Sequence, residues 1–487
     1  MRFHYGAVSN VLGVQLGAVG LLMLTALPFS WYFGSGDAGP LGLSALITLA
    51  AAGGLYFWQR QAPPTIDKRE GYLVVVLGWV LMVAFGMLPY LLSGEIPTLT
   101  DAFFETMSGM TTTGASVLND IEAVPAGILY WRSLTQWIGG MGIIVLTVAL
   151  FPLLGIGGIE LFVAEAPGPT SDKIHPRIRE TAKRLWFIYV GLTAAATGLY
   201  WLEGMTFFDA VNHGLTTLAT GGFSKKNASA VYWENRPVIQ YTMIFFMACA
   251  GTNYTVLYFL LKGRFDRVRQ SDEFKAYLTL LAVFALGVTA IVHFGGTGAA
   301  ELERNFRDVL FQVVSLITTT GFVSADYTAW TEGLTVFFFV LIFLGACAGS
   351  TSGGIKIIRH LVFFKNSGLE FKRLLYPRAV VPLKLNGQAV PGRILTHILV
   401  FLLIFLATFL LGSIVVAFLG MDFVSAIGAV ATSLANVGPG IGDVGPVNNF
   451  AGVPAPAKWF LSFLMLLGRL ELFTVLILFT PYFWRDY

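Results

Sequence analysis

Charged side chains are scarce in this chain. Asp, Glu, Lys and Arg make up only 12% of its 487 residues, whereas soluble globular domains carry about 25%. Hydrophobic residues account for 55%, and the mean hydropathy is +0.71. This composition excludes a set of soluble domains, and a net charge of +3 is too small to indicate nucleic acid as a partner. It predicts a polytopic membrane protein.

Cysteine and nucleotide-binding signatures are also nearly missing. Cys249 and Cys347 both lie in apolar segments, and two thiols cannot supply the four ligands of a zinc site, so we expect packing residues. His213 is likewise expected to be a polar packing residue rather than a metal ligand. Gly440–Gly445 reads GxGxxG without a βαβ context, and Gly349–Lys356 lacks a lysine directly after its second glycine. These patterns exclude a nucleotide site in the chain.

Apolar stretches near the 20-residue spanning length occur ten times. The first has neither the basic cluster nor the cleavage site of a signal peptide, so we interpret it as an anchor. The stretches are 9–33, 41–59, 71–92, 127–155, 185–203, 237–261, 276–294, 334–364, 394–419 and 457–483.

Most of the 31 basic residues lie at the termini or in alternate segments between these spans. The segments are Arg60–Arg69, Lys173–Arg184, Lys262–Lys275 and Lys356–Arg393. Because cytoplasmic loops carry the excess of Lys and Arg, both termini are expected on the cytoplasmic side.

One plan recurs four times after the first two spans: a span, a short amphipathic run with an acidic residue, a polar turn with glycine, and a second span. The runs are DAFFETMSGMTTTGAS, DAVNHGLTTLATGGFS, DVLFQVVSLITTTGFV and DFVSAIGAVATSLANVGPG, beginning at Asp101, Asp209, Asp308 and Asp422. Aligned on one glycine, the turns are Thr112-Thr113-Gly114, Ala219-Thr220-Gly221, Thr319-Thr320-Gly321 and Asn436-Val437-Gly438. The plan predicts an N-terminal pair of spans over 1–65 and repeats over 66–165, 166–270, 271–390 and 391–487.

The runs are too short to span a membrane, which indicates re-entrant segments. Non-helical backbone at membrane depth requires protein or water around its polar groups. Four such turns around one axis would direct carbonyl oxygens at that axis, and a carbonyl ring replaces the hydration shell of an alkali cation. The alternative is a helix-packing motif of small residues, and the fourfold recurrence favours the ring.

This plan resembles the TrkH branch of the Trk/Ktr/HKT superfamily of potassium translocators over essentially the whole chain. The runs QWIGGMGIIVL (136–146), GACAGSTSGGIK (345–356) and LLGRLELFTVLILFTPYFW (466–484) carry the resemblance. It implies an all-α fold with a pseudo-fourfold pore, K⁺ as the transported ion and no organic cofactor. It further implies a homodimer in the bacterial cytoplasmic (inner) membrane, regulated by a cytosolic nucleotide-binding subunit of the TrkA type.

The resemblance also implies that the four turns form the selectivity filter, whose glycine accompanies a preference for potassium over sodium. Asn436 and Val437 depart from the Thr-Thr of the first and third turns, which leaves the ligands of that quarter open. The basic cytoplasmic segments would dock the subunit. Retention by anionic membrane lipid is the alternative.

A second polar stretch interrupts the apolar run 334–364. Its helix-breaking and hydroxyl residues are Gly345, Gly349, Ser350, Thr351, Ser352, Gly353 and Gly354. Each glycine costs a helix about 1 kcal/mol relative to alanine, so the stretch predicts a loop at mid-membrane depth. It is either a kink that allows close packing or, as the resemblance implies, an intramembrane gate.

Arg469 lies within the last apolar stretch. A charge at mid-membrane costs at least about 2.5–3.5 kcal/mol, so it requires a partner or a cavity. Glu471, two positions on, points to another side of the helix. Arg469 either pairs with a carboxylate of another span or forms a positive barrier below the filter, where it could hold the gate loop by its carbonyls.

Potassium translocation is therefore the leading hypothesis. A membrane enzyme would need catalytic residues clustered at helical spacing within the spans, and the sequence shows none. A secondary carrier would be supported by inverted repeats, whereas these repeats run parallel. Coupling to protons or sodium through the same pore, an ion-coupled potassium symporter, stays open.

Overall fold

A computed structural model describes residues 4–58, 68–142, 178–298 and 301–485. It confirms the all-α class. The α-helices are Tyr5–Leu24, Leu27–Phe33, Ala38–Phe57, Lys68–Gly86, Leu88–Ser93, Leu99–Met110, Ala126–Trp137, Ile178–Leu202, Phe207–Leu218, Pro237–Ala250, Tyr254–Leu261, Phe265–Arg269, Asp272–Phe294, Leu302–Ile317, Glu332–Leu341, Ile357–Leu375, Gly392–Phe418, Phe423–Ala435, Ala455–Arg469, Phe473–Leu476 and Pro481–Trp484. A short hairpin pairs Lys384–Leu385 with Gln388–Ala389 through the left-handed turn at Asn386 and Gly387.

Six helical segments of the described ranges are long and apolar enough to cross a membrane. They coincide with the predicted stretches 9–33, 41–59, 71–92, 185–203, 276–294 and 394–419. The number rises to eight if each of two bent helix pairs counts as one span. The multi-pass character of the chain is thereby confirmed.

The bent pairs correct two predicted spans, 237–261 and 457–483. Pro237–Ala250 meets Tyr254–Leu261 at 109°, and Ala455–Arg469 meets Phe473–Phe479 at 111°. At the first break, the side chain of Asn253 accepts a hydrogen bond from Thr255 N (2.8 Å) and starts the next helix.

The second break has a different physical basis. Glu471 and Leu472 both have left-handed backbone angles, with φ of 55° and 59°. Neither break contains proline, so the apolar composition alone predicted continuous helices. Only the structure shows that the helices Pro237–Ala250 and Ala455–Arg469 are each followed by a sharp turn of the chain.

The predicted stretch 334–364 is divided rather than kinked. Its first helix ends at Leu341 and the next begins at Ile357. Between them the backbone hydrogen bonds join the two ends of a loop, because Gly345 N donates to Ile355 O (2.9 Å) and Ile355 N donates to Phe343 O (3.2 Å). The stretch 127–155 is helical over Ala126–Trp137 and continues as a π-helix to Gly142, and its remainder lies outside the described residues.

Four short helices end in the four predicted turns. They are Leu99–Met110, Phe207–Leu218, Leu302–Ile317 and Phe423–Ala435, called here the first to fourth short helices. The first, second and fourth begin at a side-chain cap supplied by Thr98, Thr206 and Asp422. The third has 16 residues and is longer than predicted, so Asp308 lies within it rather than at its start. Each helix is buried towards its C-terminal turn.

A buried ion pair joins the first short helix to the helix Ala126–Trp137. Arg132 Nε donates to Glu105 Oε1 (2.7 Å), and the two side chains are only 2% and 0% exposed. Glu105 also accepts from Val117 N (2.8 Å), and Arg132 donates to Ser224 O (3.0 Å). Because Val117 follows the first turn and Ser224 follows the second, one ion pair holds the chain on the exit side of both turns.

Removing the Glu105 charge should destabilise the fold strongly. We expect Glu105→Gln to cost about 3–5 kcal/mol, because Arg132 would remain as a buried, uncompensated charge. Glu370→Gln is the matched control: it breaks the pair between Glu370 and Arg373, which are 53% and 35% exposed, and should cost less than about 1 kcal/mol. Thermal unfolding of both variants in detergent measures the difference. Equal melting temperatures would contradict the role of the buried pair.

Candidate functional site

The four turns share one backbone conformation. A non-glycine residue in the left-handed region follows each short helix, and a glycine with positive φ lies two residues on. The pairs are Thr112 (53°) with Gly114 (84°), Thr220 (52°) with Gly222 (76°), Thr319 (55°) with Gly321 (81°), and Asn436 (55°) with Gly438 (94°). The residue between them always donates its N–H to the carbonyl five positions earlier. This pattern terminates a helix and turns the chain back on itself.

The second turn differs from the sequence alignment by one residue. The counterpart of Thr112 is Thr220 rather than Ala219, and the counterpart of Gly114 is Gly222 rather than Gly221. The sequence alignment matched Gly221, the first of two consecutive glycines, but only the second, Gly222, has the positive φ that the turn requires. Ala219 therefore corresponds to Thr111, the last helical position before the turn.

The turns contact one another in a closed ring. A Cβ atom built on the positive-φ glycine of each turn would approach a carbonyl oxygen of the next turn to less than 3.0 Å, closer than real Cβ atoms come. Gly114 faces Gly221 O, Gly222 faces Thr320 O, Gly321 faces Val437 O, and Gly438 faces Thr113 O. These four carbonyls occupy equivalent positions, so the first, second, third and fourth turns follow in order and the fourth meets the first.

Side chains brace the turns in three different ways. In the first and third turns, hydroxyl pairs lie at hydrogen-bond distance: Thr111 with Thr113 (2.8 Å) and Thr318 with Thr320 (2.7 Å). In the fourth, Asn436 Nδ2 donates to Thr113 Oγ1 (3.0 Å) and to Met465 O (2.9 Å). In the second, the amide of Gln136 bonds the backbone directly.

The polar loop 342–356 lies against the ends of three short helices. Thr351 Oγ1 donates to Leu218 O (3.1 Å), and Gly353 N donates to Thr319 Oγ1 (2.6 Å). Gly353 also packs on Ala435 O at the fourth turn. Gly349 and Gly354 have positive φ, which gives the loop its shape. The loop that contains Gly345, Gly349, Ser350, Thr351, Ser352, Gly353 and Gly354 therefore packs against the C-terminal ends of three of the four short helices.

Arg469 donates hydrogen bonds to three backbone carbonyls. Nη1 binds Thr351 O (2.8 Å) in the loop, and Nη2 binds Gly140 O (2.8 Å) and Gly139 O in the first repeat. The carboxylate of Glu471 forms its ion pair with Arg359, on the helix that follows the loop, rather than with Arg469. Arg469 thus connects the first repeat, the loop and the last inner helix.

Sequence reasoning missed several residues of this arrangement. The sequence predicted no role for Gln136, Glu105 or Arg132. Glu273 was missed too, although its Oε1 accepts from Ala348 N (2.7 Å) within the loop and from Ile358 N (3.2 Å) in the helix that follows it. Their partners lie far away in sequence, so no local pattern marks them.

His213, in contrast, behaves as the sequence predicted. Its Nδ1 lies 2.8 Å from Asp209 O and its Nε2 lies 3.1 Å from Ser224 Oγ, and its ring packs on Trp233 and Phe322. Cys249 and Cys347 are both free thiols. His213 and Cys347 are buried, and Cys249 is partly buried.

Comparison with known proteins agrees with this architecture. The family model described as "TrkH: Cation transport protein" matches residues 43–485. The Trk system potassium uptake protein TrkH of Salmonella typhimurium is 40% identical, with 99% of this chain and 100% of the relative covered. Its namesake in Escherichia coli strain K12 is 39% identical with the same coverage. The crystal structure of the potassium transporter TrkH from Vibrio parahaemolyticus superimposes with a TM-score of 0.88 at 36% identity, covering 99% of this chain and 100% of that one. The chain therefore belongs to the TrkH family of cation transport proteins.

Proposed function

We propose that this protein takes up potassium across the bacterial cytoplasmic membrane through the ring of four turns. The observation that carries the proposal is the closed ring itself, in which four equivalent carbonyls abut four glycines. The relatives named above are potassium uptake proteins and share the full length of the chain. No covalent chemistry is involved, since the family transports cations and is not an enzyme family.

Carbonyl oxygens supply the selectivity in this proposal. Thr113 O, Gly221 O, Thr320 O and Val437 O replace the hydration shell of K⁺. Thr112 Oγ1 and Asn436 Oδ1 are buried and have no hydrogen-bond partner within the described ranges. Because unpartnered buried oxygens are costly, a partly dehydrated cation is a fitting partner for both.

The loop beneath the ring acts as the gate, and Arg469 is its latch. The loop bonds the ends of the second and third short helices, so it obstructs the path on the cytoplasmic side of the ring. The guanidinium adds a positive charge where a cation must pass, and charges interact far more strongly there than in bulk water. Opening requires the bonds of Arg469 to Thr351, Gly139 and Gly140 to be released.

A cytosolic nucleotide-binding subunit of the TrkA type regulates this gate from the basic cytoplasmic face, with the transporter as a homodimer. Two basic segments meet on that face, because Lys365 and Asn386 both bond Asp272 at the start of the third repeat. The next residue, Glu273, accepts hydrogen bonds from Ala348 N in the loop and from Ile358 N in the helix after it. A partner that moves the segment around Asp272 would therefore also move Glu273 and act directly on the gate. Residues 173–177 of the segment Lys173–Arg184 lie outside the described residues.

The filter assignment predicts that a side chain on a ring glycine weakens selectivity. Gly321→Ser and Gly114→Ser should each lower the preference for potassium over sodium by about tenfold or more, a change of about 1.4 kcal/mol, because the new Cβ must displace the carbonyl of the next turn. The measurement is rubidium uptake in proteoliposomes with competing sodium or potassium.

Gly94→Ser is the matched control for the two ring variants. Gly94 also has a positive φ (80°), but no atom lies within 4 Å of the position of its Cβ. It should introduce backbone strain and leave selectivity unchanged. Ring variants that fold normally and discriminate like the wild type would refute the filter assignment.

The latch predicts that Arg469→Ala raises potassium flux of the isolated chain. Loss of the positive charge and of three hydrogen bonds to carbonyls should increase flux by about tenfold or more, given how steeply charge interactions scale in a low-dielectric passage. Equal amounts of monodisperse wild type and variant are reconstituted and compared without any partner. Arg236→Ala is the control, since Arg236 also donates to a carbonyl, Gly204 O, but at an exposed site. Loss of folded Arg469→Ala protein would instead indicate a structural role.

The docking proposal predicts that charge reversal on the cytoplasmic face abolishes partner binding. Lys262, Arg264 and Arg267 are exposed around the helix Phe265–Arg269. The triple variant with Glu at these positions should lose co-purification with the cytosolic subunit and keep its basal flux. Anionic vesicles provide the second arm: if the triple variant loses only vesicle binding and keeps the subunit, the segment is a lipid contact and the docking proposal is wrong.

A further inference from the structure

Gln136 is a fully buried amide that spans the second turn. Its Nε2 donates to Gly221 O (2.6 Å), and its Oε1 accepts from Phe223 N (3.0 Å). The two bonds fix the orientation of the amide, since only the nitrogen donates and only the oxygen accepts. The side chain belongs to the inner helix Ala126–Trp137 of the first repeat. Gln136 thus reaches across to the next turn of the ring.

The same amide explains why residue 221 is glycine. The φ of Gly221 is not positive, so the backbone would accept any L-residue there. A Cβ at this position would nevertheless collide with the carbon, oxygen and nitrogen of the Gln136 amide, all within 3.0 Å. The glycine is required by the space that Gln136 occupies.

The other turns fill that space with their own side chains. The residues equivalent to Gly221 are Thr113, Thr320 and Val437, and the first two form the hydroxyl pairs described above. The fourth repeat shows what replaces the glutamine. Gly139 packs on Met110 O in the same way as Gly468 packs on Leu434 O, so the two glycines are equivalent. The residue three positions before Gly139 is Gln136, and the residue three positions before Gly468 is Met465.

We propose that Gln136 is a positioning residue that sets the ion specificity of the second quarter of the ring. It substitutes for a missing threonine: its amide occupies the side-chain space at Gly221 and orients the carbonyl that faces the ring. This inference rests on the proposed function, since it concerns the same carbonyls.

The chemical consequence is an asymmetric ring. A carbonyl oxygen has two lone pairs, and at Gly221 one of them accepts from Gln136 while the oxygen also abuts Gly114. The donated hydrogen bond fixes the carbonyl and withdraws electron density from the oxygen. Loss of the amide would free this carbonyl to tilt and leave Phe223 N without its acceptor, in a buried site where an unmade bond is costly.

A swap of side chains tests the proposal. Gln136→Met should lower the preference for potassium over sodium by about tenfold, the effect of about one buried hydrogen bond. Gly221→Thr alone should abolish uptake, because threonine and the amide cannot share the space. The double variant Gln136→Met with Gly221→Thr gives the second turn the threonine and the methionine that the first turn has in Thr113 and Met465. Its selectivity should return to within about threefold of the wild type, which corresponds to less than one tenfold step of 1.4 kcal/mol.

Rubidium uptake with competing sodium or potassium is the readout, on purified full-length protein of equal monodispersity. Gln15→Met is the control, since Gln15 is buried in the helix Tyr5–Leu24, away from the ring, and it should keep wild-type selectivity. A folded Gln136→Met variant with wild-type selectivity overturns the proposal.

Two further results separate the possible failures. If Gln136→Met yields no folded protein, the double variant decides: restored selectivity supports the proposal, and folded protein without selectivity refutes it. Gly321→Ser is measured in the same series. If Gly321→Ser alters selectivity while Gln136→Met does not, the filter assignment is supported and only the role of Gln136 is wrong. If neither variant alters selectivity, the proposed function is wrong as well.

Discussion

The contact between a bare glycine and the carbonyl of the neighbouring turn determines the rest of this structure. Four such contacts close a ring, and each leaves less than 3.0 Å for a side chain that is absent. A contact this close fixes the distance between two adjacent turns. Because the ring is closed, a displacement of one turn must also displace its neighbours. The short helices, their buried ends and the ion pair of Glu105 with Arg132 hold the chain on both sides of this ring.

One backbone conformation is reached by three side-chain solutions. Threonine pairs brace the first and third turns, Gln136 braces the second and Asn436 braces the fourth. Turns of the same backbone geometry therefore do not require the same sequence. The first and third turns, which lie opposite each other, share one kind of brace, whereas the second and fourth turns differ. Asn436 tolerates the left-handed conformation that it adopts better than most residues do, and its side chain reaches the first turn. The departure from Thr-Thr that the sequence shows in the fourth turn changes the brace and preserves the backbone.

Much of the site was predictable, because glycine and hydroxyl residues in an apolar chain have few explanations. The four turns, the loop over 345–354 and Arg469 all stand out against spans that otherwise lack polar residues. What could not be predicted depends on distant partners or on backbone geometry. The register of the second turn depends on Gln136, which lies in another repeat. The breaks near Asn253 and Glu471 contain no proline. The side-chain cap of Asn253 begins the helix after the first break, and at the second break Glu471 is held by Arg359, on the helix beyond the loop.

The hydrogen bonds between ring and loop join the proposed filter and the proposed gate into one mechanical unit. Gly353 N donates to Thr319 Oγ1, and Thr319 is itself the left-handed residue of the third turn. Any movement of the proposed gate must break this bond and leave a buried N–H and a buried hydroxyl to find new partners, which costs about 1–3 kcal/mol for each group left unpaired. A permeating cation or water that satisfies the hydroxyl would reduce that cost. Under the proposed function, occupancy of the ring by K⁺ and opening of the loop are thermodynamically linked through Thr319, and by reciprocity whatever opens the loop also changes the affinity of the ring for K⁺.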